Sequence, residues 1–318
     1  MKRESLSDNK VTRWWRDVTA APSSSGAAVP WHISFSDWGR ILARAIRGAV
    51  ADDFGMVAGS IAFAAFLAFL PLLSVVALTY GALVPHEVVL GNVATLVSML
   101  PGSAAPFVQE WLAKNLAKNE GQGLTLALSI ALALFSGRRV GGSLLRGIDI
   151  ASGIKQDRNP LAALALALLT VGVGAVLLFA ALVSISGLAF IGNAIPDEVP
   201  GAARLLNIMF WSTLTLGPAL TLILVYRYVP ARSVIPWRWA LPGTVVAAGA
   251  WLVSTLVFQL YVTSIARYQS IYGSLSAIVV LQLWLMLSAY ILLLGAKVNA
   301  EAMRQSGAGS GGHAGAKL

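Results

Sequence analysis

Residues 272–301 read YGSLSAIVVLQLWLMLSAYILLLGAKVNAE, and this stretch decides the class of the protein. From 273 to 296 it holds no Asp, Glu, Lys, Arg or His in 24 consecutive positions. At about 1.5 Å per helical residue, such a run crosses a hydrocarbon core of roughly 30 Å with some tilt. No water reaches that core to satisfy an open backbone, and a helix satisfies its own. The run is entered through Tyr272-Gly273 and left through Lys297, Asn299 and Glu301.

The rest of the chain has the same character. It is 57% hydrophobic and 12% charged, about half the charged share of a soluble domain. Long uncharged runs place six spans at 55–84, 121–140, 161–191, 205–227, 240–265 and 273–298. The expected fold is an all-α integral membrane protein, with six transmembrane helices plus an N-terminal amphipathic helix and external interfacial helices. Residues 1–33 read as a disordered cytoplasmic tail without a cleavable signal peptide, 34–303 as the membrane domain, and 304–318 as a flexible Gly-rich tail.

Over 35–50, Phe35, Trp38, Leu42, Ile46 and Ala49 recur at three- or four-residue spacing, while Arg40, Arg44 and Arg47 share another face. That pattern fits a helix lying on anionic headgroups. Residues 88–100 are apolar but stop at Pro101-Gly102, short of a span, and read as interfacial or re-entrant; 107–116 reads as a second external amphipathic helix. With both termini inside, 19 of the 23 Lys and Arg residues fall on the cytoplasmic side. A seventh span at 88–100 would put the most basic internal connection outside, so this asymmetry favours six. It also accounts for the net charge of +9 without nucleic acid as a partner.

Small-xxx-small pairs at Gly55/Gly59, Gly137/Gly141 and Gly243/Ala247 permit close helix contact within the chain. Pro71 and Pro218 fall inside the first and fourth spans, where each removes a backbone donor. The second span carries only 17 uncharged residues before Arg138 and Arg139. One reading makes these arginines the cytoplasmic boundary. The other makes them an anion contact, because guanidinium grips phosphate in a bidentate fork. Arg146 and Asp149 follow at a spacing of three, suited to a local pair, and join the candidate set.

Other chemistry finds no constellation. There is no cysteine, and His32, His86 and His313 lie in separate segments without metal-ligand spacing. Adjacent Asp52 and Asp53 point about 100° apart on a helix, and read as solvated charges at a helix entry. The Gly-rich tail lacks the Lys-Ser/Thr ending of a phosphate loop. No catalytic, cofactor-binding or metal-binding residue is assigned, no cofactor is expected, and the expectation is a non-enzyme.

The ordered combination of LVYRYVPARSVIPWRWALPGTVVAAGAWLVSTLVFQLYV with the 272–301 stretch resembles the YihY/BrkB membrane-protein family, more loosely including AGSIAFAAFLAFLPLLSVV of the first span. The resemblance covers most of 40–303 and implies a six-helix bacterial inner-membrane protein. It maps a Tyr-Arg and Pro turn onto Tyr226, Arg227 and Pro230, and a last-span pattern onto Tyr272, Gly273, Trp284, Gly295, Asn299 and Glu301, read as structural positions. Lys297 departs from the acidic residue that relatives commonly carry. The family has carried ribonuclease and virulence labels that define no mechanism. The expected function is a transporter or lipid-handling protein for an anionic or amphipathic cargo, with membrane lipids and anionic headgroups as partners. A non-transporting envelope assembly component with envelope protein partners is the alternative, and a membrane-associated ribonuclease the third.

Overall fold

The computed structural model describes residues 29–81, 122–154, 161–169, 172–177, 179–180, 202–231, 235–264 and 275–306. Among these the regular structure is helical throughout, without a strand. A single 3-10 turn at Pro30–His32 leads into α1 (Phe35–Ala51), α2 (Phe54–Gly81), α3 (Gln122–Ser152), α4 (Ala202–Tyr228), α5 (Trp237–Ser264) and α6 (Leu275–Ser306). Shorter helical stretches at 161–169 and 172–177 stand between α3 and α4. Among the described residues three segments are long and apolar enough to cross a membrane: Phe54–Val76, Trp237–Tyr261 and Ile278–Ser306. The segments expected at 88–100 and 107–116 lie outside the described residues, as do Tyr272, Gly273 and most of both tails.

Helix α1 starts where Ser34 caps it. The Ser34 Oγ accepts the Asp37 N–H at 3.2 Å and its hydroxyl donates to Asp37 Oδ2 at 2.7 Å. This bond, followed by the charge of Arg40, holds the Asp37 carboxyl below the usual carboxylate range. The helix ends at Asp52 and Asp53; Asp53 takes a left-handed φ of 50° and its carbonyl accepts from Met56 and Val57, so α2 begins at once. Ile41, Ala45 and Ala49 are buried, whereas Phe35, Leu42, Ile46 and Val50 are exposed. Ala49, expected on the outer apolar stripe, therefore belongs to the packed side. Arg44, expected beside Arg40 and Arg47, is turned to α6, where it meets Glu301.

Helix α6 packs on α5, α2, α1 and α3. Its tightest seam is with α5. A Cβ added to Gly243 would overlap the Gly295 carbonyl, and one added to Gly295 would overlap the Tyr226 hydroxyl and come within 2.8 Å of Ala247 Cβ. Lipid offers no hydrophobic reward for joining two helices, so close backbone packing and interhelical hydrogen bonds hold such a seam. Both are present. The Asn299 amide accepts the Gly243 N–H at 2.6 Å and donates to the Ala240 carbonyl at 3.2 Å, on either side of Pro242. Buried Tyr226 donates to the Leu292 carbonyl at 2.8 Å and brings α4 to the same seam. Gly141 makes a second close approach, to the Ala167 backbone, but Gly55 and Gly59 make no such contact with the described residues.

Two helices outrun their apolar stretches. α3 continues past the expected end at 140 to Ser152, so Arg138, Arg139, Arg146 and Asp149 are helical residues and not parts of a connecting loop. Leu144, Leu145, Ile148 and Ala151 recur at helical spacing on its buried face and carry it onward. α6 runs to Ser306, past the expected boundary at 303, and buries Gln305.

The seam predicts opposite outcomes for two glycines of α5. Gly243→Ala is expected to lower thermal stability in detergent by about 1–3 kcal/mol, because the methyl meets backbone that cannot yield. Gly249→Ala, where an added Cβ meets nothing within 4 Å, should be neutral or stabilising by up to about 1 kcal/mol. Equal losses for both would remove the seam from its place in the fold.

Candidate functional site

Helices α2 and α3 run antiparallel in a register fixed by two contacts. Ser60 Oγ and Ser143 Oγ lie 3.4 Å apart, and Gly147 sits beside Val57 and Ile61. Stepping along the pair puts Arg139 and Arg138 level with Ala64 and Ala65. Ala65 is the midpoint of the Phe54–Val76 span, and Gly137 is the midpoint of α3. The two arginines therefore stand midway along both helices, not at a helix end.

There they line a cavity of about 620 Å³ between α2, α3 and the 161–169 stretch. Arg138, Arg139 and Arg146 supply its charge, Ser60 and Ser143 its hydroxyls, and Phe63, Leu67, Phe135 and Leu164 much of its apolar wall. The Arg139 guanidinium lies 5.3 Å from the Phe135 ring centroid, and Arg146 Nη2 donates to Ser143 Oγ at 3.5 Å. Arg138 makes no hydrogen bond or ion pair with the described residues, and no carboxylate is among the lining side chains. Arg138 and Arg139 follow directly on the uncharged 121–137 run, and a cation among apolar walls is costly without a partner. Two adjacent ones without a counter-charge among the described residues form a site whose electrostatics call for an anion.

Asp149 does not join them. It is buried, and its Oδ1 accepts the Ala231 N–H at 3.0 Å, tying α3 to the turn after α4. Pro230 is buried in that same turn. Arg227 donates to the Ile235 carbonyl at 2.9 Å, with its guanidinium 4.5 Å from the Trp237 centroid and 5.1 Å from that of Tyr228, which closes the path from α4 to α5. Trp284 packs edge-on against Trp251 with centroids 6.0 Å apart.

The remaining last-span positions build a charged end on the bundle. Glu301 is held by Arg44 at 3.2 Å and by Arg304 at 2.9 Å, and Arg44 also donates to Gln305 Oε1 at 2.7 Å. Lys297, only 7% exposed, lies across Gly48 and reaches Asp52 Oδ2 at 2.6 Å. This corrects the reading of Asp52 as a solvated charge: the carboxylate is an ion-pair partner, and it explains why a cation stands at 297. The pairings of Arg44 and Asp52 were missed because more than 240 residues separate them from α6. The available signal was the scarcity of acids, 14 in the chain, against a helix bearing three arginines.

The family profile described as Virulence factor BrkB matches residues 45–317. The chain belongs to the BrkB family. Within it, the chain is similar to the ribonuclease-like protein YfkH of Bacillus subtilis, at 29% identity over 63% of this chain and 73% of that protein. It is also similar to UPF0761 membrane proteins of Psychromonas ingrahamii, at 28% over 80% of this chain and 84% of the relative, and of Idiomarina loihiensis, at 27% over 64% and 69%. No solved structure matches it. A BrkB-family membrane protein is thus the identity that sequence, helices and relatives share.

The Lys297–Asp52 pair yields a charge-swap prediction. Lys297→Glu should lower stability by about 1–3 kcal/mol, less than for a fully buried pair because Asp52 is 33% exposed and solvent takes up part of the loss. Adding Asp52→Lys should recover most of it in a double-mutant cycle. Additive losses in the two single variants would show that the contact carries no coupling.

Proposed function

We propose that this BrkB-family protein is a non-enzymatic transporter or lipid-handling protein that takes an anionic or amphipathic cargo into the α2–α3 groove. The observation that carries the reading is the placement of Arg138 and Arg139 midway along α3, with Arg146 on the same groove, apolar walls around them and no carboxylate among the lining residues. A cation in an apolar span tends to face a cavity or mark a pathway, and a BrkB-family bundle gives these a cavity to face.

The surrounding membrane is the bacterial inner membrane, crossed six times with both termini in the cytoplasm. Support comes from the 19 of 23 Lys and Arg residues that this layout keeps inside. Its partners are anionic lipids, not nucleic acid. A second reading, an envelope assembly component that moves no cargo, draws on the exposed Phe35, Leu42, Ile46 and Val50 stripe of α1, which suits attachment at a bilayer surface.

Purified full-length protein in liposomes separates these readings. Anionic lipid or solute is expected to move in the wild type and about tenfold more slowly in Arg138→Ala/Arg139→Ala, the effect of losing one or two charge-assisted contacts. Movement unchanged in that variant sinks the arginine site. No movement in the wild type supports the assembly reading, and RNA cleavage that co-purifies with the chain would favour the activity named for YfkH.

A further inference from the structure

The groove opens outward from the bundle. Phe63 is 57% exposed, Phe135 63% and Leu67 41%, all on the walls that flank the arginines. A small water-soluble anion coming from that side would have to cross hydrocarbon to reach the arginines. A lipid phosphate enters from the headgroup level along the groove past Arg146, and its acyl chains cover the exposed Phe63, Leu67 and Phe135 as a free anion does not.

The polar residues form a ladder on one face of α3. Arg146, Ser143 and Arg139 are spaced by three and four residues, so Arg146 and Arg139 are about 10 Å apart along the axis. Ser60 faces the middle rung from α2. Between the rungs lies Gly142, which lines the groove and whose added Cβ would meet nothing within 4 Å. Its neighbour Gly141 is locked against Ala167 instead. The two glycines thus have separate tasks, one to seat the adjoining helical stretch and one to leave the groove open.

We infer that the groove is a lateral binding site for an anionic phospholipid. The phosphate lies on Arg138 and Arg139 midway along α3, reached past Arg146 and the Ser60/Ser143 pair, while the acyl chains stay in the bilayer against Phe63, Leu67 and Phe135. Guanidinium groups hold a phosphodiester through paired N–H donors, and no carboxylate among the lining residues competes for these three arginines. The inference deepens the proposed reading of the same groove, but it concerns occupancy and not movement.

The test uses the full chain in phosphatidylcholine vesicles that carry either phosphatidylglycerol or phosphatidylcholine spin-labelled on an acyl chain. The immobilised fraction in the electron paramagnetic resonance spectrum reports lipid held at the protein. Wild type is expected to favour phosphatidylglycerol by about tenfold, the worth of one good charge-assisted contact. Arg138→Gln/Arg139→Gln should erase the preference by removing charge, and Gly142→Phe should erase it by filling the groove with every charge in place. Excess inorganic phosphate should leave the labelled lipid bound.

Equal retention of both lipids by the wild type overturns the inference. So does a preference that survives either variant, or displacement by inorganic phosphate, which would make a free anion the ligand. Thermal unfolding checks that each variant is folded, and the glutamine pair carries the test alone if the Gly142→Phe variant proves unstable. Lipid held but not moved in the liposome assay would end the transport reading and leave this one standing.

Discussion

The approach of α5 to α6 at Gly243 and Gly295 is the constraint on which the other contacts depend. Two helices in lipid gain little by merely touching, so the fold relies on places where backbones come close enough for dispersion and for hydrogen bonds from side chain to main chain. Asn299 and Tyr226 supply those bonds at the seam. Once α6 is fixed there, its far end is aimed at α1. Lys297, Glu301 and Gln305 then meet Asp52 and Arg44 without further adjustment.

The chain handles charge in two ways. At the charged end, Lys297 and Glu301 are almost fully buried and each meets an opposite charge within 3.2 Å, as buried ions must. In the groove, Arg138 and Arg139 stand midway along α3, with the Phe135 ring beside Arg139 and no carboxylate among the lining residues. A bundle that neutralises one set of charges so thoroughly, and leaves another set open along a cavity, separates its structural ions from its candidate functional ones.

Hydropathy made the class of the protein legible, because an uncharged run the width of a bilayer has few other uses. The uncharged run forms α6 from Leu275 onward, and the interruption by Arg138 and Arg139 marks residues that line the groove. Helix extent was less legible. Hydropathy marks where apolar composition stops, whereas α3 continues for 13 residues beyond Arg139 on the burial of Leu144, Leu145 and Ile148. The arginines consequently lie in the middle of α3 and not at its end. The ion pairs of the charged end were illegible for a different reason, since a pair such as Arg44 and Glu301 is a property of the packed fold and leaves no local spacing to read. The family resemblance found Asn299 and Gly295 but not their task, which depends on Pro242 in another helix.

Pro242 also bears on the order in which the bundle assembles. The Gly243 N–H and the Ala240 carbonyl beside it receive the Asn299 amide from a position 56 residues beyond Gly243 along the chain. Until α6 emerges from the ribosome, that partner does not exist. During biosynthesis α5 therefore enters the bilayer before its partner, and the arrival of α6 supplies the Asn299 bonds that lock the seam.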